Sequence, residues 1–459
     1  MEKSAAPQAQ ASARAYVASL DGYRAFGTLV VLMHHLPFIF LRTPFAYGWW
    51  VLQSFFVMSG FLLTMILLKE KEKGYPFGQY IKSFYLKRFY RIFPLYWAFL
   101  AFFGLLLLAF GVTKIPLFSG LMEEYKQNWA FLWTYTYNFK ELINFKQGLN
   151  PNLSPFFSHL WSLSVEEQYY LMLPFMVFFL NREHLKMLVL GIIIASPLLR
   201  LATYLYFDQL AYQPQHAGYF NNDDFLKDSW VAVIILRSTW CQLDCLAFGM
   251  ALALWDFKWI PSPKKAFWWL FLFFVAVVTI NGIYTASKTD IHHLKELAIL
   301  NPMLRKSLEI FPTAFLKFYV AVSEHINLIQ NYQFVYMYTV VNSLSFLIVL
   351  SCIRNEPILN FFKREGMIYS GKITYGAYVF HYPLLMFIIL GTLPLINKVQ
   401  KLSFKATNLI LGDYAGVVSS QLASEIFMLL IYLPLLYLLS HLSFKYFEMY
   451  FINLKAKVK

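Results

Sequence analysis

Apolar runs of about twenty residues recur along almost the whole chain, and they limit its possible folds more than any other feature. A helical run of that length matches the hydrocarbon thickness of a bilayer. Backbone polar groups inside lipid must be satisfied within the chain, so the runs read as helices. About ten are found, at 22–41, 49–68, 90–111, 161–180, 187–206, 237–254, 267–284, 335–352, 374–396 and 426–446. The predicted fold is all-α, a polytopic membrane protein with about ten transmembrane helices in one bundle. The composition agrees: 59% of the 459 residues are hydrophobic and 20% aromatic, against about 45–50% apolar in a soluble domain. No internal repeat is visible, which weighs against many transporter folds.

The formal charge of +14 raises the question of a nucleic-acid partner, and its distribution answers it. Lys and Arg collect in alternate loops, the positive-inside bias of a membrane protein. With the N-terminus inside, the inner segments hold roughly 21 Lys and Arg in about 96 residues, the outer ones roughly 14 in about 165. The densest inner stretch runs from Lys69 to Lys73 and on through Lys82, Lys87, Arg88 and Arg91. The outer loop near 207–230 carries Asp208, Asp223, Asp224 and Asp228 instead. The expected topology is N-in/C-in, with the lipid bilayer as partner and no nucleic acid. Cys241, Cys245 and Cys352 lie in apolar runs and offer neither a disulfide framework nor a metal site. Residues 1–19 lack the apolar core of a signal peptide and are expected to be a disordered cytoplasmic tail. Residues 20–450 form the membrane domain and 451–459 a basic cytoplasmic tail. Two outer connections are long, 112–160 and 285–334. The first carries Trp129, Trp133, Tyr135 and Tyr137 as candidate interfacial anchors.

Against this background the polar groups inside the runs stand out. The first run carries Asp21 and Arg24 at its start and His34 and His35 well inside it. Arg24 and His35 are eleven positions apart, three helical turns plus roughly 20° and a climb of about 16 Å, so they share a face. An ionisable ring inside a bilayer is costly, which makes it a functional candidate. With its unperturbed pKa of about 6.5, a histidine can act as general base toward a hydroxyl or as a nucleophile that carries an acyl group. Spacing does not separate the two roles. Arg88 and Arg91, at i and i+3, point the same way where the third run leaves the cytosol. Two guanidinium groups there suit a phosphate-bearing ligand. Anchoring to anionic lipid head groups is the alternative.

A third group opens the fourth run: His159, Trp161, Ser162, Glu166, Glu167 and Gln168. Carboxylates at a helix start are favoured by the helix dipole, but an apolar run follows directly, so one of the pair is expected to turn inward. Gln53, Ser59, Asp244, Tyr375 and His381 are further polar positions in or beside apolar runs. Asp244 needs a partner, and Arg237 and Gln242 are its nearest polar neighbours in sequence. His381, just before Pro383, marks a kink. No phosphate-cradling glycine loop, zinc-ligand spacing or nucleophile elbow is present.

These strings are similar to the motifs of one family. Leu20-Asp21-Gly22-Tyr23-Arg24-Ala25 with His35, Phe55-Phe56-Val57-Met58-Ser59-Gly60-Phe61-Leu62, Arg88-Phe89-Tyr90-Arg91, Trp161 through Tyr170, and Ser370 through Tyr378 with His381 and Pro383 together resemble integral-membrane acyltransferase family 3. That family includes bacterial O-acetyltransferases of surface polysaccharides and peptidoglycan. The resemblance covers nearly the whole chain. It implies transfer of an acyl group, usually acetyl, from cytoplasmic acyl-coenzyme A to a hydroxyl of a glycan or lipid-linked saccharide, lipopolysaccharide included, in a bacterial inner membrane. It implies that His35 is catalytic with Glu166 and Glu167, and that Arg24, Arg88 and Arg91 serve the donor. Two positions depart from the pattern. Gln53 stands where an acidic residue is usual, so a histidine–carboxylate pair is not expected, and Tyr450 stands where Pro is common. No further soluble domain is expected, so a second enzyme of an acylation pathway would be a separate chain. The alternative function is a carrier or flippase for an anionic or sugar-bearing molecule, since intramembrane His, Asp and Glu also mark transport paths.

Overall fold

The computed structural model describes residues 17–36, 48–110, 116–146, 156–211, 224–288, 333–411 and 413–456. No strand occurs among them. The helices are α1 (Ala18–His34), α2 (Trp49–Glu72), α3 (Phe77–Phe110), α4 (Pro116–Trp133), α5 (Lys140–Lys146), α6 (Trp161–Phe179), α7 (Arg182–Ala211) and α8 (Asp224–Arg237). They continue with α9 (Leu243–Leu254), α10 (Pro263–Lys288), α11 (Gln333–Ile353), α12 (Glu365–Lys372), α13 (Thr374–Leu411), α14 (Asp413–Leu442) and α15 (Met449–Ala456). Among the described residues five stretches are long and apolar enough to cross a bilayer: α2, α3, α7, α11 and the rod from α14 into α15. The chain is a multi-pass membrane protein.

Most expected runs coincide with helices, but several ends move. The third run, 90–111, is the outer part of α3, which starts at Phe77. Arg88 and Arg91 therefore lie within a continuous helix. The first run shortens: α1 ends at His34, and His35 is its C-cap, not an interior residue. His35 keeps a right-handed helical backbone, and its N–H reaches Val31 O at 3.2 Å. It stays in register with Arg24. Residues 289–332, most of the connection 285–334, lie outside the described residues, as do 1–16. In the connection 112–160, Trp129 is exposed on α4, but Tyr135 and Tyr137 are core residues, with Tyr135 stacked on Tyr96. Residues 451–456, assigned above to a tail, continue α15.

The sixth run, 237–254, is not one helix. It breaks at Ser238, makes a 3-10 turn over Thr239–Cys241, and resumes as α9. A broken helix in an apolar layer must find partners for its freed carbonyls. Gln242 Nε2 donates to Leu236 O at 2.9 Å, and Arg200 Nη1 donates to Cys241 O at 2.9 Å. The same guanidinium holds Asp244 in a two-pronged pair at 3.0 and 2.9 Å. Arg200, from α7, is thus the partner of Asp244. Arg237 turns instead to Ser158, and Gln242 to Gln53 and the break.

Two close helix crossings set the frame around the centre. A Cβ on Gly60 would stand 2.2 Å from Leu246 O, and one on Gly249 2.1 Å from Val57 O, so α2 and α9 meet backbone to backbone. Likewise a Cβ on Gly22 would lie 1.9 Å from Phe362 O, and one on Gly371 2.0 Å from Asp21 O. That second crossing locks the start of α1 against α12 and the turn before it. At the C-terminal end of α6 Lys71 Nζ donates to Val177 O and Leu180 O, both at 2.8 Å. A lysine in the last turn of α2 thereby caps the last carbonyls of α6, as a cation at a helix C-terminus should.

Candidate active site

Helices α1, α2, α3, α6, α12 and α13 surround a chamber of about 350 Å³. Arg24 and Thr28 come from α1, Phe55, Ser59 and Ile66 from α2, Arg88, Arg91 and Ile92 from α3, and Ser162, Glu166 and Tyr170 from α6. Gly371, Thr374, Tyr375 and Tyr378 close the remaining side. All three arginines singled out from sequence, far apart in the chain, line one cavity. Arg24 is held by Asp21 at 3.1 Å. Arg88 and Arg91 make no hydrogen bond or ion pair with any described residue. Cations left unpaired in an apolar setting are expensive unless a ligand completes them.

The two carboxylates part company. Glu166 faces this chamber, where Ser59 Oγ donates to Oε1 at 3.2 Å and Tyr170 OH to Oε2 at 3.0 Å. Glu167 faces a second chamber of about 810 Å³ lined by Phe89, Phe93, Trp133, Tyr135 and Trp240. Arg88 and Tyr170 form the wall common to both. Gln168, beside Glu167, is a brace. Its Nε2 donates to Tyr135 O and Asn138 Oδ1, both at 2.9 Å, and its Oε1 accepts from Thr239.

Above the chamber sits a cluster of rings. His35 Nδ1 and His381 Nε2 are 3.0 Å apart. The His35 ring lies 4.7 Å from Tyr382 and 5.2 Å from His34. His159 meets His381 edge-on at 4.5 Å and stacks on Tyr382. Pro383 lacks the N–H that would have bonded Val379 O in a regular helix, and His159 Nε2 takes that carbonyl at 3.2 Å. His159 Nδ1 is buried without a hydrogen-bond partner among the described residues. Tyr378 links cluster to chamber: its hydroxyl lines the cavity, donates to His159 O at 2.7 Å and touches Ser162 Oγ at 2.5 Å. His35 is not itself on the chamber wall. It lies two turns beyond Thr28 on the same helix face.

Other sequence candidates make contacts within the fold. Gln53 is fully buried and bonds Gln242 at 3.0 Å, so the amide at the usual acidic position does not meet a histidine. Trp161 packs edge-on against Phe56. Tyr375 OH donates to Ile92 O at 2.8 Å and so ties α13 to the arginine helix. Asp244 belongs to the Arg200 pair. Two residues of the chamber escaped the sequence reading, Tyr170 and Tyr378, and so did Arg200, the partner of Asp244. Arg200 was detectable as a charge inside an apolar run, and Tyr378 as the residue one turn before His381. Among the described residues no cluster of His, Cys, Asp and Glu has a metal-holding arrangement.

Part of the chain is similar to known and putative O-acetyltransferases. Over 194 residues the chain is 32% identical to the peptidoglycan O-acetyltransferase OatA of Listeria monocytogenes, covering 40% of this chain and 28% of the relative. It is 30% identical over 162 residues to a putative O-acetyltransferase of Staphylococcus aureus, covering 35% of this chain and 24% of that one. The S. aureus O-acetyltransferase OatA is 28% identical over 172 residues, 36% of this chain and 25% of the relative. The aligned part thus spans about a quarter of the length of those relatives. No solved structure matches. The model of the acyltransferase domain family matches residues 17–441, and the chain belongs to that family.

Proposed function

We propose that this protein is a membrane-bound O-acyltransferase. It moves an acyl group, acetyl in the simplest case, from cytoplasmic acyl-coenzyme A to a hydroxyl of a cell-surface glycan or lipid-linked saccharide. The observation that carries this reading is the convergence of Arg24, Arg88 and Arg91 on one chamber beneath His35, with Arg88 and Arg91 left unpaired. Guanidinium forks suit the phosphates of coenzyme A. About 350 Å³ is at the small end of ligand pockets, so the chamber takes part of the donor, not all of it. Glu166, fixed by Ser59 and Tyr170, supplies an acceptor group between the arginines and the ring cluster.

In the reaction the acceptor oxygen forms a bond to the thioester carbonyl carbon and the C–S bond breaks. As general base, His35 takes the hydroxyl proton and returns it to the departing thiolate. As nucleophile, a His35 nitrogen bonds the acyl carbon while the C–S bond breaks, and the acceptor oxygen then takes that carbon while the C–N bond breaks, its proton passing to the released thiolate. The relative named a peptidoglycan O-acetyltransferase favours a glycan acceptor.

The test is mass spectrometry of surface glycans from cells with the wild-type gene, without it, and with His35→Ala. We expect an acyl mass that appears with the wild-type gene alone, while the His35→Ala protein inserts normally. Full acylation by His35→Ala would end this reading, and so would substrate movement across liposomes that contain no acyl donor.

A further inference from the structure

The geometry points to His381 as the residue that fixes which nitrogen of His35 is available for chemistry; we propose that His381 holds His35 with its proton on Nδ1 and its lone pair on Nε2. This inference rests on the proposed function only for the use made of that lone pair.

The argument runs along one line of hydrogen bonds. His381 Nδ1 lies 2.5 Å from Tyr378 O, one turn earlier on α13. A carbonyl has no hydrogen to give, so Nδ1 of His381 is the donor. His381 is fully buried, and its ring bonds are to that carbonyl and to another imidazole, with no carboxylate among them. A buried imidazolium needs a counter-charge, so His381 is neutral. A neutral imidazole has one N–H, and in His381 it is spent on Tyr378. Its Nε2 is therefore an acceptor, and the hydrogen across the 3.0 Å gap belongs to His35 Nδ1. In neutral His35 that leaves Nε2 without a proton.

The relay from the Tyr378 carbonyl through His381 to His35 does what a carboxylate does beside a catalytic histidine: it sets tautomer and ring orientation. It differs in adding no negative charge. It also accounts for an amide at position 53, because the histidine's second nitrogen is already engaged from α13. The relay is braced from several sides. Tyr432 OH, from α14, donates to His381 O at 3.3 Å, and the rings of His159 and Tyr382 pack on His381 at 4.5 and 5.0 Å. His381 is a positioning residue; it is His35 that meets the reacting atoms.

The direct test is nitrogen NMR of the full-length protein in lipid nanodiscs with ¹⁵N-imidazole histidine, the His35 signals being identified by subtraction of the His35→Gln spectrum. We expect the Nδ1–H, bare-Nε2 tautomer in the wild type and its loss in His381→Leu. A wild-type His35 protonated on Nε2, or an unchanged tautomer in His381→Leu, overturns the proposal. The kinetic arm uses acetyl-coenzyme A and membranes containing acceptor. His381→Leu should lower kcat about 10²-fold with KM for the donor unchanged. His381→Gln, whose side-chain oxygen can replace Nε2 as acceptor, should recover most of the loss. Equal kcat in the Leu and Gln variants overturns it. If the tautomer is as expected but no acyl transfer occurs, the function fails and this inference stands.

Discussion

Arg200 and Arg88 are both guanidinium groups on long apolar helices, and the fold treats them in opposite ways. Arg200 is fully buried and fully used. Its nitrogens reach both oxygens of Asp244, the carbonyls of Cys241 and Val335, and Thr339 Oγ1. Arg88 lies on the wall between two cavities and bonds no described residue. The first cation closes a broken helix and leaves no site for a ligand. The second has its hydrogen-bonding capacity in reserve. A buried charge with a complete set of partners is accounted for by the fold, and one without is a candidate for contact with a ligand.

The strongest way to break this comparison is to remove a partner from each. Asp244→Ala strands Arg200 in the interior and should cost about 3–5 kcal/mol, seen as loss of folded protein in detergent by size exclusion and a lower melting temperature. Arg88→Ala removes an unpaired charge and should leave the melting temperature nearly unchanged. If the two variants melted alike, the distinction would collapse.

The next effect is on the donor. A hydrogen bond to a charged group is worth about 1.5–3 kcal/mol, so Arg88→Ala and Arg91→Ala should each weaken coenzyme A binding about tenfold to a hundredfold by calorimetry. Lysine at either position should recover only part, because it lacks the planar fork. Unchanged affinity in both alanine variants would remove the phosphate role.

A smaller effect separates the adjacent carboxylates. Glu166 receives Ser59 and Tyr170 on its two oxygens. Glu166→Gln presents an amide nitrogen to one of those donors, so one bond is lost and kcat should fall about tenfold. Glu167→Gln, facing the aromatic chamber, should change kcat less. The reverse order would move the centre of the chemistry into the larger cavity.

The arginine chamber was largely legible in the sequence, and the Arg200 pair was not. Arg24, Arg88, Arg91 and Glu166 stand at helix positions where an ionisable group contradicts its apolar neighbours, and periodicity gives the facing of each. Which helix then stands opposite is a tertiary fact. The closest polar residues to Asp244 in sequence are Arg237 and Gln242, yet the helix break at Ser238 turns both toward other partners and presents Asp244 to Arg200. Helical periodicity over 237–254 cannot reveal that break, because the turn is stabilised by Arg200 and Gln242, not by local glycine or proline. The histidine cluster lies between these cases. Pro383 signals a kink, but the carbonyl it frees is taken by His159 from a segment 220 residues away in sequence.

Salt gives the mildest version of the comparison, and needs no substitution. Arg24 keeps about a third of its side chain exposed, at 32%, whereas Arg200 and Asp244 are at 0%. The Debye length shrinks from about 10 Å at 0.1 M to about 3 Å at 1 M, which screens charges that solvent reaches and leaves enclosed pairs nearly untouched. Raising sodium chloride over that range should weaken coenzyme A binding about threefold to tenfold, with the melting temperature of the free protein almost constant. A melting temperature that falls while affinity holds would mean that ions reach Arg200 and not the chamber. Architecture and binding would then have to exchange their arginines.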